Sequence, residues 1–474
     1  MEQELRNKTK IIWSLEKSML TGSHPDQVAE PNIDALRLVY TKDSLDSTLA
    51  FLKKIQTNRS ANSRPLPIIV DVSSGPKVIL THIRYDQLTY GEKIIISPNP
   101  QAAADLTIDG AAPLSTFFIE GALIYIGFGQ AVLKTLKASE KEIEAEVLQG
   151  GQIHPGMDVH IPSTRREPTV ADISHFDIKP FKSIGIDYVI LPGMSRVKEI
   201  SLVRKKIISE TQENPWLIIK IDNKSVYEQL PELLQVVDGV LISRQELALY
   251  LDPALVPVVC KEIIQLCRAE AKLTIIASEM LASMRHSPTP TRAEVSDVAN
   301  AVLDGTDAIV LSEEIALGKH SSRSLKLGKI IITDVEEQVI HSSTWQRKDL
   351  SLNNELDAIT YHATKTAELV KAKAIVCITK AGNTALRLSS FHIPIPIFAV
   401  TYSKHVERRL MLVRGVSPIL LDVKPDLDEV LPLVKKRLLK YDWLKSGDTI
   451  VFVTVSLSSI SKEASNLLTV QRLE

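Results

Sequence analysis

Eight short runs of apolar, largely β-branched residues recur along the chain: "TKIIWSL", "DALRLVY", "LPIIVDV", "DYVILPG", "WLIIKID", "DGVLIS", "KLTIIAS" and "DAIVLS". Each is continuous in its hydrophobicity rather than alternating, which is the pattern of a parallel strand buried on both faces. Most are separated by segments with helical periodicity. Eight is the number of strands that closes a β/α barrel, so this count constrains the fold more than any composition value does. The chain has 474 residues. At roughly 150 residues per domain, that length leaves room for about two further units.

Between the third run and the fourth the texture changes. "EKIIISPN", "STFFIEG", "ALIYIG", "EIEAEVLQGG" and "MDVHIP" stand between turn-like breaks, the signature of a small all-β unit inserted in one barrel loop, where insertions are well tolerated. After a polar stretch around residues 341–354, "KAIVCITK", "IPIFAVT", "SPILLDV" and "DTIVFVTV" resume the α/β pattern. The expected division is residues 1–79 and 164–345 for the barrel, 80–163 for the inserted β domain and 346–474 for a C-terminal α/β domain. There is no internal repeat and no low-complexity segment.

The 56 basic and 57 acidic residues nearly cancel, so no overall field favours nucleic acid or an anionic membrane surface. No apolar stretch approaches the ~18 residues of a membrane span. Cys260, Cys267 and Cys377 lack metal-ligand spacing and read as buried reduced thiols. A cytoplasmic protein acting on small molecules is expected.

In a β/α barrel the chemistry sits at the C-terminal strand ends. Here those ends are polar: Arg37, then Lys220 with Asp222, then Ser243, Arg244, Gln245 and Glu246, then Ser278 and Glu279, then Ser312, Glu313 and Glu314. Lys220 and Asp222 are two apart in a strand and share a face. A cation beside carboxylates suits a metal-assisted reaction on an anionic substrate. Position alone also allows an ordinary salt-bridged rim.

The run "PTRAEVSDVANAVLDGTDAIVLSEE", preceded by "IIASEMLASM", closely resembles the corresponding helix and strands of pyruvate kinases. The order of strands, the β insertion after the third and the C-terminal domain resemble that family over essentially the whole chain. A likeness of this length is specific for ancestry and less so for activity. The resemblance implies transfer of a phosphoryl group from phosphoenolpyruvate to ADP, with Mg²⁺ or Mn²⁺, in a homotetramer. It makes Lys220 the residue that stabilises charge on the phosphoryl group and the enolate. Arg37 contacts the substrate phosphate, and Asp222 and Glu246 hold the metal. Gln245 lies against substrate, and Ser278 stands near the protonation step.

This chain departs from the family pattern in places. Asp222 replaces a glutamate and Glu246 an aspartate, a reciprocal exchange that keeps charge and alters reach. Val39, Thr41, Lys42 and Asp43 replace residues that help hold nucleotide and a monovalent cation. Ile79 replaces an arginine, Met157 a lysine, and Gln245 and Glu313 replace glycines. Glu314 is the inherited member of its pair. Phosphoryl transfer rests on positioning and electrostatics, so the nucleotide half of the site looks eroded. Lys77, in "GPK", supplies the charge that K⁺ gives other members, so K⁺ is not expected to be required. Arg292 and Asp297 fit ion pairing and helix capping.

In "TKAGNTA" a strand ends and a helix opens, so Thr379, Lys380, Asn383 and Thr384 are placed as a phosphate cradle. The loop resembles the family's sugar-phosphate effector loop, although the companion loop "SLSSISKEASN" lacks the usual glycines. The leading expectation is a divergent, slow pyruvate kinase. The alternative is a catalytically silent homologue that binds phosphorylated metabolites. A third reading is a barrel enzyme that acts on an enolate without nucleotide.

Overall fold

The computed structural model describes residues 7–15, 33–40, 45–61, 65–72, 78–99, 104–109, 119–139, 141–162, 176, 178–316, 319–340, 354–421, 427–455 and 466–474. Three strands open the first barrel: β1 (Lys10–Leu15), β2 (Ala35–Val39) and β3 (Ile68–Asp71). Seven short strands follow: β4 (Val78–Ile83), β5 (Lys93–Ser97), β6 (Leu106–Asp109), β7 (Leu123–Ile126), β8 (Ala131–Ala138), β9 (Ile143–Gln149) and β10 (Asp158–His160). They close into a second barrel of their own, mostly antiparallel. The chain then returns to the first barrel with β11 (Tyr188–Leu191), β12 (Trp216–Ile221), β13 (Gly239–Ser243), β14 (Leu273–Ala277) and β15 (Ala308–Leu311). The eight apolar runs are its eight parallel strands, closed by pairing of β1 with β15.

The C-terminal sheet is β16 (Ala374–Ile378), β17 (Ile397–Thr401), β18 (Val416–Leu420), β19 (Thr449–Thr454) and β20 (Leu467–Arg472), in the order β18-β17-β16-β19-β20. The first four were expected. β20 pairs antiparallel at the edge; its "LLTVQR" half faces solvent and lacks the apolar run that marks the others. In the small barrel, β4, β6 and β8 likewise join the strands that the sequence marked, while most of "STFFIEG" and the polar segment 341–353 lie outside the described residues.

Two-residue periodicity decides what the large barrel presents at its mouth. Ile12, Ala35, Ile69, Tyr188, Ile190, Ile218, Leu241, Ile275, Ala308 and Val310 share one buried cluster, whereas Leu36, Val70, Leu217, Ile219, Ile242 and Ile309 belong to the shell packed against the helices. A strand alternates faces. Two steps on from the inward residues Ile12, Ala35, Ile69, Ile218 and Leu241 come Ser14, Arg37, Asp71, Lys220 and Ser243. In these five strands the polar ends thus inherit the inward phase of the apolar interior beneath them; in β14 that phase ends on Ala277, one residue before Ser278.

The opposite end of the barrel is covered by the C-terminal domain, whose Ala363, Ile375, Phe391, Leu410 and Leu412 continue the same cluster as the barrel interior. The contact is pinned by charge. Arg408 pairs with Asp187 at 2.6 Å. Arg414 pairs with Glu336 at 2.9 Å, and its backbone N–H donates to Asp307. Glu336 also accepts from the backbone N–H groups of Lys8 and Thr9, at 2.8 Å each. Among the described residues, no helix is long and apolar enough to cross a membrane.

Candidate active site

Lys220 sits at the mouth with its side chain only 11% exposed and its ammonium 2.7 Å from Glu246 Oε1. Burial alone would draw its pKa down, but the carboxylates of Glu246, Asp222 and Asp71 outweigh that and hold it above the ordinary lysine range. The lysine therefore stays cationic at neutral pH. Across the mouth, Arg37 donates from Nε to Asp71 Oδ2 at 2.8 Å and from Nη1 to Ser14 Oγ at 3.0 Å. Adjacent strands β1 and β2 pair Ser14 directly with Arg37. Two cations are thus set among three carboxylates in a partly desolvated cleft, where charge interactions are stronger than in water.

Asp222 is fully buried and accepts from Asn223 Nδ2 at 2.9 Å. Its seat depends on Gly193, just past β11: a Cβ there would lie 2.0 Å from Asp222 Oδ1 and 2.5 Å from Asn223 Nδ2. Glu246 arrives differently from the extended strand end expected. Arg244–Leu247 forms a four-residue helix capping β13, which sends Glu246 towards β12 and Arg244 towards β14. Gln245 is half-buried between them. Two carboxylates with only oxygen donors match what Mg²⁺ takes from protein when water and phosphate oxygens complete its shell. Among the described residues, no three His, Cys, Asp or Glu side chains form a ready-made metal cage.

Ser278 follows β14 with φ 81°, and Glu279 (φ 55°) and Leu281 (φ 65°) are also left-handed. Each such non-glycine residue costs of the order of 1–3 kcal/mol and needs a surrounding structure that over-determines it. That structure is the helix Arg292–Asp304. Thr291 caps it in a reciprocal box with Glu294, and Glu294 also accepts from Ser283 N at 2.6 Å. Burial works against the charge on Glu294, yet the hydroxyl and amide donors of Ser283 and Thr291 hold its pKa below the usual range. Asp297 pairs with Arg244 at 3.0 Å, so its role is ion pairing. Glu314 is buried and accepts from Ser312 N at 3.0 Å; the side chain of Glu313, like Thr41, Lys42, Asp43 and Lys77, lies outside the described residues.

Two departures from the family pattern have structural consequences. Met157 is 8% exposed and packs in the small barrel's own core, so it contributes packing and no charge. Ile79 lies in β4 opposite Asp109 and Asp158. In the C-terminal domain, Thr379 Oγ1 accepts from Gly382 N at 2.9 Å and shapes the turn before the helix Asn383–Ser390. Thr379 and Thr384 are buried there, and Lys380 and Asn383 are exposed. Gly382 (φ 103°) rests against Trp216, its built Cβ 3.1 Å from the indole, so this turn abuts the base of the strand that carries Lys220. Residues 456–465 of the companion loop lie outside the described residues. All three cysteines are free and buried; burial raises their pKa values, to about 11 for Cys260 and about 12 for Cys377.

Sequence reasoning passed over Ser14, Asp71 and Gly193. A usable signal existed for Asp71, a lone carboxylate inside the apolar run "LPIIVDV"; a carboxylate so placed is rarely buried unless it has a partner. Gly193 carried no such signal, because its role is defined by a side chain from another strand.

A β/α barrel with a charged C-terminal mouth, a second barrel after its third strand and an α/β domain under its base defines a class: three-domain barrel proteins whose mouth gathers cationic and acidic side chains. Residues 6–325 match the family model described as pyruvate kinase, barrel domain, and residues 357–471 match pyruvate kinase, alpha/beta domain. The chain belongs to the pyruvate kinase family. It is 28% identical over 458 residues to the pyruvate kinase of Thermotoga maritima, covering 94% of this chain and 96% of that one. Against the pyruvate kinase of Clostridium perfringens it is 27% identical over 474 residues, covering 98% of this chain and all of the relative. A solved structure of Cryptosporidium parvum pyruvate kinase in complex with ADP shares the fold with a TM-score of 0.80 at 24% identity, across 99% of this chain and 96% of that one.

Proposed function

We propose that this protein transfers the phosphoryl group of phosphoenolpyruvate to ADP, forming pyruvate and ATP. The observation that carries the reading is the largely buried Lys220 ammonium, 2.7 Å from Glu246 and held charged by Glu246, Asp222 and Asp71, on the mouth that Arg37 also faces. In the reaction the bond from the enol oxygen to phosphorus breaks, one from an ADP β-phosphate oxygen forms, and the enolate carbon takes a proton. Arg37 and Lys220 orient the phosphoryl group and offset the charge that spreads over its oxygens, the main contribution such a protein can make. Lys220 also faces the developing enolate. Ser278 helps place the proton on carbon. Asp222 and Glu246 would hold Mg²⁺ or Mn²⁺, which when bound neutralises phosphate charge as a Lewis acid.

Gln245 lies against the substrate position, and its side chain crowds a place suited to bare backbone. With Met157 in the small barrel's core and Ile79 on β4, neither supplies charge to the ADP phosphates, and turnover is expected to be slow. K⁺ is not required, because Lys77 stands in for it. The same resemblance carries a homotetramer in the cytoplasm and a sugar-phosphate effector bound by Thr379, Lys380, Asn383 and Thr384. Neither nucleic acid nor membrane is a partner on this reading.

The missing nucleotide-side cations favour a second reading, a silent homologue that binds phosphorylated metabolites. The deciding experiment follows pyruvate formation with Mg²⁺ or Mn²⁺, with and without K⁺, using Lys220→Ala as control. Turnover in the wild type and its loss in the variant support the kinase. No turnover in either, with calorimetric binding of phosphoenolpyruvate retained, supports the silent homologue.

A further inference from the structure

We propose that Arg244 is a positioning residue: its guanidinium, held by Asp297, clamps the left-handed turn at Ser278–Leu281 and so aims the Ser278 hydroxyl into the mouth. This rests on the phosphotransfer reading for its catalytic consequence, though not for the clamp itself.

Three observations converge. First, the turn after β14 is improbable on its own. Ser278, Glu279 and Leu281 all have φ between 55° and 81°, and none is glycine, the residue that takes such angles without a Cβ clash. Something outside the turn must hold it. Second, the holder is visible. Arg244 Nη2 donates to the Ser278 carbonyl at 2.5 Å and reaches the Glu279 carbonyl at 3.5 Å, while Nη1 donates to Asp297 Oδ2 at 3.0 Å. A planar fork can grip a carbonyl with one arm and a carboxylate with the other; a lysine ammonium on a flexible stem fixes no such plane. Third, the grip is connected to the site by one turn of helix. Arg244 and Glu246 lie in the same four-residue element, and Glu246 pairs with Lys220. The serine at the end of β14 and the lysine at the end of β12 are thereby indexed to one rigid piece of backbone. Glu294, from the same helix as Asp297, fixes the far side of the turn through Ser283.

Arg244 therefore acts through Ser278 and touches no reacting atom. Misplacing a reacting group by about 1 Å costs on the order of 10²-fold in rate, so Arg244→Gln is expected to lower kcat by about 10- to 100-fold while KM for phosphoenolpyruvate changes little. Arg244→Lys should recover only part of that loss.

The test is a cycle of Arg244→Gln and Ser278→Ala in the full chain, read as kcat and KM, together with hydrogen–deuterium exchange of the peptide spanning residues 278–284. The clamp predicts that Arg244→Gln has no further effect on kcat once Ser278 is alanine, and that exchange in this peptide accelerates in the single variant. Fully multiplicative losses with unchanged exchange overturn it. If the wild type forms no pyruvate, the phosphotransfer reading fails, and the exchange arm, repeated with Arg244→Lys, decides the clamp alone: unaltered protection in both variants refutes it.

Discussion

Gly193→Ala perturbs the site by a single methyl group at a point where the geometry can be worked through. A Cβ built on Gly193 lies 2.0 Å from Asp222 Oδ1, 2.5 Å from Asn223 Nδ2 and 3.0 Å from Asp222 Cγ. Real Cβ contacts essentially never fall below 3.0 Å, so the Asp222 carboxylate must retreat by about 1 Å, the difference between those two distances. It has little room to do so, being fully buried and tied to Asn223. Overpacking of this kind costs about 1–3 kcal/mol of stability. The same displacement at a carboxylate proposed to hold the metal predicts a loss of about 10²-fold in kcat, with weaker Mn²⁺ affinity. Steady-state kinetics, Mn²⁺ titration and urea unfolding read the three effects. The double variant Gly193→Ala with Asp222→Ala should regain part of the lost stability, because the principal clash is gone. Wild-type kinetics and Mn²⁺ affinity in Gly193→Ala would refute the assignment of Asp222 to this seat.

Two further outcomes concern the junction between the barrel and the C-terminal domain. Burial pushes the Asp307 carboxyl up to about 6, with the amides of Arg414 and Thr274 working against the shift. A raised carboxyl keeps its proton in the folded state after the unfolded chain has lost it, so stability should fall as pH rises from about 4 to about 6 and then level off, by up to roughly 3 kcal/mol. Asp307→Asn, which cannot titrate, should remove that slope from urea midpoints measured across the window; an unchanged slope would show that another group sets it. Glu336→Gln removes the carboxylate that pairs with the buried Arg414 at 2.9 Å, and breaking one side of such a pair typically costs about 3–5 kcal/mol. A urea midpoint within error of wild type would contradict the view that this pair pins the two domains.

The barrel was legible because its signal is local and repeated: each apolar run is a strand whatever its neighbours do, and eight of them have one economical closure. Strand phase made Lys220 and Asp222 legible for the same reason, since side chains two apart must share a face. Arg244 was visible as a charged residue at a strand end, but its direction was not. A four-residue helix turned it towards Ser278 and turned Glu246 towards Lys220, a branching that no periodicity encodes. β20 escaped notice because an edge strand with one solvated face needs no continuous apolar run.

By itself, then, the order of residues determined the eight barrel strands, the shared face of Lys220 and Asp222 and the chemical types at the mouth, all properties of backbone geometry and side-chain period over a few positions. Tertiary structure alone decided the partners. Asp71 became the mate of Arg37, Gly193 the space in which Asp222 fits, and Arg244 the brace of a left-handed turn, with separations of 34, 30 and 34 residues between Arg37 and Asp71, Gly193 and Asn223, and Arg244 and Ser278. The physical reason is range: hydrophobic periodicity is felt within one strand, whereas charge pairing and close contact depend on which strands the barrel closure brings side by side.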